Sequence, residues 1–322
     1  MGHGVAVPFF IVGSARSGTT LVRMILNSHP DVAVPPESRF IVELWRGELS
    51  VDVAETLGAL AAHPRFRLWG LPIEAVREEV GAGTRAPYAE VMAAAYAAYS
   101  KSHDKTRWGD KTPRYVQHIS LLAALFPHSR FVHIIRDGRN VALSYADVPF
   151  GPKTVARAAA LWADRVGAGL RDGRALDKGR YLEVRYEDLV SDVESRVRSL
   201  CDFLDLSFES GMLDYTEQAA SEALPRSRMY NPHVVEKPIP SVRSWEEQMP
   251  DAHIEVFESV AGDLLSELGY PRRYPAPGTG ARLAALLARA GLPLGRLRSN
   301  KHRRRDSPSE GDLAEGRTDG TS

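Results

Sequence analysis

The chain has 322 residues, which is enough for one large α/β domain with an extensive core. Lys plus Arg and Asp plus Glu each total 41, so no overall basic field attracts nucleic acid and no nucleic-acid partner is expected. The single cysteine, Cys201, excludes an internal disulfide, and its apolar neighbours predict a buried thiol. Residues 1–7 lack the basic start of a signal peptide, and no run reaches the ~18 apolar residues of a membrane span, so we expect a cytoplasmic protein.

The most informative segment is residues 9–26, which read as an apolar strand, a glycine-bounded loop and an amphipathic helix. Gly13 and Gly18 keep the spacing of a nucleoside-triphosphate P-loop. Thr19 and Thr20 follow, however, where that loop has lysine and then Ser or Thr. The segment therefore predicts a phosphate-binding loop without the lysine that is directed at a γ-phosphate.

The loop still favours an anion. Backbone N–H groups from Ser17 to Thr20 are expected to point outward at the helix N-terminus, where the helix dipole adds about half a positive charge. Arg16 adds a forked cation inside the loop. The predicted phosphate ligands are Arg16, Ser17, Gly18, Thr19 and Thr20. The alternative is a glycine turn that only links a strand to a helix.

Three apolar runs of strand length, at residues 8–12, 130–135 and 180–184, are each followed by a helical pattern. They predict a three-layer α/β/α domain of the P-loop type, with a central and mostly parallel sheet. A helical insertion at residues 39–106 separates the first two strands, and we expect it to shape an acceptor pocket. Its helices are predicted at residues 38–49, 51–62, 72–80 and 87–102.

Apolar residues at helical spacing in residues 155–166 and 254–264 predict two core helices, the second ended by Gly269. The main domain is predicted to span residues 1–275 and to include both helices. The oligomeric state is not readable from these patterns.

Beyond this domain, residues 276–306 are predicted to hold a short amphipathic helix, at residues 281–290, and then a basic segment. The basic segment could touch nucleic acid, or anionic lipid in a peripheral membrane contact, although a solvated tail is the commoner case. Residues 307–322 have almost no apolar side chain to bury, so we expect a disordered tail.

A second anion site is predicted after the strand at residues 130–135. Arg136 follows the strand directly, and Ser144 lies in the helical pattern eight residues later. Ligands of open α/β sheets bind at the carboxyl ends of the strands. A guanidinium and a hydroxyl there could converge on one phosphate. The alternative is that Arg136 pairs with an acidic neighbour while Ser144 packs or caps the helix.

Together, the loop and the Arg136…Ser144 pair resemble the PAPS-dependent sulfotransferases, in particular the bacterial enzymes and the tyrosylprotein type. Residues 108–113, 186–189 and 237–245 share in the resemblance. It implies 3′-phosphoadenosine 5′-phosphosulfate (PAPS) as the co-substrate and no metal. The loop would hold the 5′-phosphosulfate, and Arg136 with Ser144 the 3′-phosphate. Tyr186 and Arg243 are the further nucleotide-binding residues that it implies.

The resemblance also implies catalytic roles for Glu37, Lys111 and Arg16. Glu37 matches the position of the general base, and Lys111 matches the cation beside the oxygen that leaves with the nucleotide. Taken alone, Glu37 is also a normal first-turn carboxylate for a helix that begins near Ser38, and Lys111 is a normal ion-pair partner. Cytosolic-type sulfotransferases use a histidine base instead, for which the candidates are His29, His118 and His133.

The predicted function is transfer of a sulfuryl group from PAPS to a hydroxyl, or as second choice an amine, of an acceptor. A lipid, a glycan, a peptide tyrosine and a secondary metabolite all remain open as acceptors. One alternative is a metal-dependent P-loop kinase or NTPase, with Asp137 at a strand end as the magnesium ligand. A second alternative is a nucleotide-binding scaffold that has lost catalysis.

Overall fold

The computed structural model describes residues 7–149, 151–216 and 244–290. Arg243, the basic segment and the predicted disordered tail lie outside the described residues. The centre of the structure is a five-stranded parallel sheet that consists of β1 (Phe9–Gly13), β2 (Val32–Ala33), β5 (Arg107–Lys111), β6 (Arg130–Ile135) and β7 (Tyr181–Arg185). The spatial order of the strands is β2-β5-β1-β6-β7. A separate antiparallel pair consists of β3 (Ser50–Asp52) and β4 (Arg85–Pro87).

Helices cover both faces of the sheet, which gives the predicted three-layer α/β/α architecture. Two short 3-10 helices, Pro113–Gln117 and Ser210–Asp214, supplement the α-helices. The α-helices are α1 (Thr19–Asn27), α2 (Phe40–Glu43), α3 (Val53–Ala62), α4 (Pro64–Arg67), α5 (Ile73–Val80), α6 (Tyr88–Lys101), α7 (Ile119–Leu125), α8 (Gly138–Ala146), α9 (Val155–Arg174), α10 (Tyr186–Ser191), α11 (Val193–Leu204), α12 (Trp245–Gln248), α13 (Asp251–Glu267) and α14 (Thr279–Arg289).

Strand β1 explains why the core has two sides. Side chains alternate along a strand, so Phe10 and Val12 pack on the face covered by the helical insertion, while Phe9 and Ile11 pack on the face covered by α1 and α11. All four are at most 1% exposed. A strand that is buried on both faces needs a continuous apolar run, and β1 is predicted from such a run in the sequence.

The predicted strands at residues 8–12, 130–135 and 180–184 are confirmed within one residue at each end. The predicted helix at residues 38–49 is wrong over most of its length, because only Phe40–Glu43 is helical. Arg39 and Gly47 both take positive φ angles, of 55° and 89°, which interrupt a right-handed helix. Strands β2 and β5 were not predicted.

An aromatic cluster fills the space between the helical insertion and the sheet. Trp69 and Tyr96 lie with ring centroids 5.0 Å apart, and Tyr96 stacks on Trp108 of β5 at 4.3 Å. Phe40 lies 5.1 Å from Trp69. Aromatic contacts of this kind stabilise the packing beyond what the buried apolar area of each ring contributes, so the insertion is fixed to the side of the sheet formed by β2 and β5.

The C-terminal helices cover the other half of the sheet face on which the helical insertion packs. Core helix α9 packs against α13, and α14 packs on both, with Ala285 and Ala288 in the same apolar cluster. As predicted, Gly269 ends α13 with a positive φ of 74°. A buried ion pair between Arg139 and Glu258, 2.6 Å apart, ties α8 to α13. Within the described ranges, no helix is both long and apolar enough to cross a bilayer.

Candidate active site

The predicted anion loop connects β1 to α1. Gly18 precedes the helix with φ 96° and ψ 10°, a left-handed conformation that favours glycine. A Cβ atom at this position would overlap the ring of Tyr186. Glycine is therefore required at position 18 for two reasons: the left-handed backbone of the turn, and the absence of space for a side chain beside the ring of Tyr186.

The N–H groups at the start of α1 are available to a ligand, with one difference from the prediction. The N–H of Ser17 donates to the carbonyl of Ser14 at 3.2 Å, so it is already used within the loop. No described residue accepts a hydrogen bond from the N–H of Gly18, Thr19 or Thr20. These three donors point to an anion site at the helix N-terminus.

Arg16, Ser144 and Arg136 come together beside this loop. Arg16 Nε donates to Ser144 Oγ at 2.8 Å, and Arg136 Nη1 donates to the carbonyl of Arg16 at 3.4 Å. Arg16 itself has φ 75°, a strained conformation for a residue with a side chain. Residues of the two anion sites that the sequence predicts separately are thus joined by hydrogen bonds.

Arg136 is fixed from two further elements. Its guanidinium lies over the ring of Tyr186, the first residue of α10, at 4.4 Å from the ring centroid. Its carbonyl accepts a hydrogen bond from Trp162 Nε1 of α9 at 3.1 Å. The contact with Trp162 is not predicted from the sequence, where this residue belongs to the apolar pattern of a core helix at residues 155–166.

On the other side of the loop, Glu37 and Lys111 form an ion pair. Lys111 Nζ lies 2.9 Å from Glu37 Oε1, and their side chains are 7% and 26% exposed. Lys111 is the last residue of β5, whereas Glu37 follows β2 and lies outside any helix, because α2 begins only at Phe40. The simple interpretation of Glu37 as a first-turn carboxylate is therefore wrong.

The charges around Glu37 determine its protonation. Burial works to raise its pKa, but the charge and hydrogen bond of Lys111, with the charges of Arg65 and Arg39, hold the pKa below its ordinary value. Arg39 Nη2 lies 3.9 Å from Glu37 Oε2. Glu37 is consequently a carboxylate at neutral pH and can accept a proton.

The segment that carries Glu37 is held by side chains of the helical insertion. Trp69 Nε1 donates to the carbonyl of Pro36 at 2.8 Å. The hydroxyl of Tyr88 donates to the carbonyl of Ile41 at 2.8 Å. Both donors are buried, so these bonds fix the backbone on either side of the carboxylate.

The anion loop, the arginines and the Glu37–Lys111 pair all lie at the carboxyl-terminal edge of the sheet, because the five strands are parallel and their carboxyl ends meet there. Each strand contributes to the row. In spatial order it contains Glu37 after β2, Lys111 at the end of β5, the anion loop after β1, Arg136 after β6 and Tyr186 after β7.

The candidate histidines do not join this row. His133 lies inside β6, where its Nδ1 is 2.6 Å from the hydroxyl of Tyr181 and burial lowers its pKa to about 3. His29 bonds to the carbonyl of Ser207 at 3.1 Å. Burial also lowers the pKa of His118. Cys201 is buried as predicted, and burial raises the pKa of its thiol to about 11.

Asp137, the magnesium ligand of the kinase alternative, has another role in this structure. Its two carboxylate oxygens accept hydrogen bonds from Arg139 Nε at 3.0 Å and Nη2 at 2.7 Å. One of them also caps α8. Within the described part of the chain, no three His, Cys, Asp or Glu side chains are grouped as metal ligands.

Comparison with known proteins gives a family with this architecture. The model of the "Sulfotransferase family" matches residues 8–210 of the chain. That range includes both predicted anion sites, Glu37 and Lys111. The chain belongs to the sulfotransferase family.

Relatives support the same assignment. The nodulation protein NoeE of Sinorhizobium fredii is 30% identical over 289 residues, which cover 81% of this chain and 65% of that protein. The chain thus spans less than two thirds of that relative's length. Protein-tyrosine sulfotransferase A of Caenorhabditis elegans is 24% identical over 294 residues, with 87% of this chain and 71% of that protein covered.

A solved structure confirms the fold. The sulfotransferase domain of the olefin synthase of Synechococcus PCC 7002 superposes with a TM-score of 0.53 at 24% identity. The match covers 84% of this chain and 98% of that domain.

Proposed function

We propose that the protein transfers a sulfuryl group from PAPS to a hydroxyl group, or as second choice an amine, of an acceptor. The observation that carries the proposal is the row of groups along the sheet edge, with a carboxylate at one end and cations and free N–H donors beyond it. Sulfuryl transfer needs a proton acceptor on the acceptor side and positive charge on the donor side. The row supplies both in that order.

On the donor side, the N–H groups of Gly18, Thr19 and Thr20 bind the 5′-phosphosulfate, and Arg16 and Ser17 complete that end of the site. Arg136 and Ser144 bind the 3′-phosphate, with Tyr186 packed against both the loop and the guanidinium. Arg243 is assigned to the nucleotide on the resemblance alone. No metal ion takes part, because fixed donors neutralise the charge of the sulfuryl group.

In the reaction, the acceptor oxygen forms a bond to sulfur in line with the bond that breaks, between sulfur and the bridging oxygen. Glu37 takes the proton of the acceptor hydroxyl. Lys111 donates a hydrogen bond to the bridging oxygen, which leaves with adenosine 3′,5′-bisphosphate (PAP). The Glu37–Lys111 ion pair is the resting state, in which the charge of Lys111 keeps Glu37 ionised. When both substrates are bound, the acceptor hydroxyl becomes the partner of Glu37, and the bridging oxygen of the donor becomes the partner of Lys111.

The acceptor pocket is assigned to the helical insertion at residues 39–106, within a domain of residues 1–275. This assignment is supported by the position of the insertion between β2 and β5, whose ends carry Glu37 and Lys111. The acceptor is assigned as a small molecule, lipid, glycan or peptide that bears a hydroxyl group.

The test of the proposal is a transfer assay with sulfur-labelled PAPS and a lysate of the native organism, followed by mass identification of the labelled product. Label transfer that is insensitive to EDTA is expected. Absence of transfer, together with no calorimetric heat on addition of PAP, would refute the proposal.

The roles of Glu37 and Lys111 are tested by substitution. Glu37→Gln is expected to keep PAP affinity and to lower kcat by roughly a hundredfold, as for loss of a general base. Lys111→Ala is expected to lower kcat much more than PAP affinity, because its contact strengthens when charge develops on the leaving oxygen. Near-native turnover of Glu37→Gln would remove Glu37 from the mechanism, and equal losses for Lys111→Ala would indicate ground-state binding.

A further inference from the structure

Directly beside the Glu37–Lys111 pair lies a buried polar cluster, the Asp110 cluster, that consists of Ser38, Tyr96, Asp110, Thr112 and Tyr115. Asp110 is fully buried on β5, next to Lys111 in the chain. The hydroxyl of Tyr96, from α6 of the helical insertion, donates to Asp110 Oδ2 at 2.7 Å. Oδ1 of Asp110 accepts no hydrogen bond from any residue that the structure describes.

The other members of the cluster connect the two catalytic segments. Ser38 N donates to Thr112 Oγ1 at 3.2 Å, and the two hydroxyl oxygens are 3.3 Å apart. Ser38 Oγ is also 3.0 Å from the hydroxyl of Tyr115. Ser38 follows Glu37 and Thr112 follows Lys111, so these bonds fix the two backbones against each other.

A buried carboxyl group is costly, and packing alone does not require one. Transfer of an ionised carboxyl group into the interior costs several kcal/mol, and an apolar residue of similar volume is often as stable or more stable at such a site. The buried carboxyl group of Asp110 therefore points to a requirement other than packing.

We propose that Asp110 is a positioning residue of the transfer reaction: its carboxylate, together with the Asp110 cluster, orients Glu37 and Lys111 and keeps Glu37 basic. This inference rests on the function proposed above. It assigns a reaction role to a side chain that touches neither substrate, because Asp110 has no exposed surface.

The electrostatics agree with this geometry. Burial raises the pKa of Asp110 to about 6, with the Glu37 charge acting in the same direction, while the hydroxyl groups of Ser38, Tyr96 and Thr112 oppose the shift. Tyr115 is the remaining titratable neighbour, and Lys111 is adjacent in the chain. Coupling between two ionisable groups is reciprocal, so ionised Asp110 raises the proton affinity of Glu37 and opposes the cations that lower it.

The inference is tested with Asp110→Asn in the full chain, which keeps the shape of the side chain and an oxygen for the Tyr96 hydroxyl but removes the charge. We expect kcat to fall by about tenfold or more, with the Kd for PAP unchanged. The wild-type kcat is expected to decrease as the pH falls through about 6, because Asp110 then becomes neutral. In Asp110→Asn this acid limb is expected to disappear and the remaining limb to reflect Glu37, at lower pH.

Tyr96→Phe is the second variant, and it stays informative if Asp110→Asn does not fold. It removes one hydrogen bond to the carboxylate, so the acid limb is expected to move to higher pH. Tyr181→Phe is the matched control. It also removes a hydroxyl hydrogen bond, the one to His133, but Tyr181 is the first residue of β7 and lies away from the carboxyl ends of the strands that carry the site. It is expected to lower stability without a change in the pH profile.

The outcomes separate the two proposals. An active wild type whose Asp110→Asn variant keeps its kcat and its acid limb overturns the role of Asp110 and leaves the proposed function intact. A wild-type protein that transfers no label overturns both.

Discussion

The burial of Asp110 leads to a prediction about the pH dependence of stability, which can be tested without a substrate. Its pKa is about 6 in the folded protein, against 3.8 in the unfolded chain. The folded state therefore binds the proton more tightly, so the contribution of Asp110 to stability is fully present below about pH 4 and is lost as the pH rises through about 6. A shift of about 2 units corresponds to roughly 3 kcal/mol over the whole range.

Within the range where the fold is easily measured, the expected effect is smaller. Between about pH 5 and about pH 7, the wild-type protein should lose about 1 kcal/mol of unfolding free energy relative to Asp110→Asn, whose amide does not titrate. Comparison of the two proteins cancels the contributions of the histidines and the exposed carboxylates, which they share.

The assay is urea unfolding followed by tryptophan fluorescence at several pH values, with equal m-values required for both proteins. Trp108, one of the five tryptophans, packs on Tyr96, so part of the fluorescence reports on the region around Asp110. If the two stability curves run parallel with pH, or if the wild type gains stability relative to the variant as the pH rises, the carboxyl group does not titrate as the structure indicates.

Two further predictions concern the donor side. Arg136→Ala should weaken binding of PAP by roughly ten- to a hundredfold, the size of a lost charge-assisted contact, while ligands without the 3′-phosphate change little in calorimetric titrations. Equal losses for both ligand sets would contradict the assignment of the 3′-phosphate to Arg136. Gly18→Ala should abolish PAP binding, because the new Cβ overlaps Tyr186 and the left-handed backbone is strained. Gly58→Ala in α3, which meets nothing within 4 Å, is the control and should bind PAP normally.

The parts of the fold that the sequence predicted are those determined by local pattern. The strand Arg130–Ile135 was predicted with its observed bounds, because four of its six residues are apolar and it is buried on both faces. The anion loop followed from the glycine spacing and the elements on either side of it. In both cases the information lies within about ten consecutive residues.

Strand β5 was missed because tertiary contacts, and not its own residues, make it a strand. Its sequence, Arg107–Lys111, has one large apolar residue, Trp108. It pairs with β1 and β2 on its two sides, and Phe9 lies so close to Gly109 that a Cβ there would overlap its ring. No local pattern contains that information.

In the site, too, local features could be predicted from the sequence and contacts between distant residues could not. The sequence singled out Glu37 and Lys111 only through a family resemblance, and their ion pair joins residues 74 positions apart. Ser38 and Thr112 are equally distant in the chain, so the Asp110 cluster was not visible before the structure placed them together. The positive φ of Arg39, which keeps Glu37 out of a helix, is likewise not readable from an ordinary arginine.

The order of the strands divides the row of site residues into two halves that can change independently of each other. Everything between β2 and β5, including the whole helical insertion, is one contiguous stretch of chain on one side of β1, whereas Arg136 and Tyr186 belong to the other side. Evolution, or an engineer who builds chimeras, can exchange that stretch for another and leave the proposed nucleotide half unaltered. Under the proposed function, a change of acceptor requires only the replacement of this one stretch, provided that the new stretch keeps a carboxylate next to Lys111.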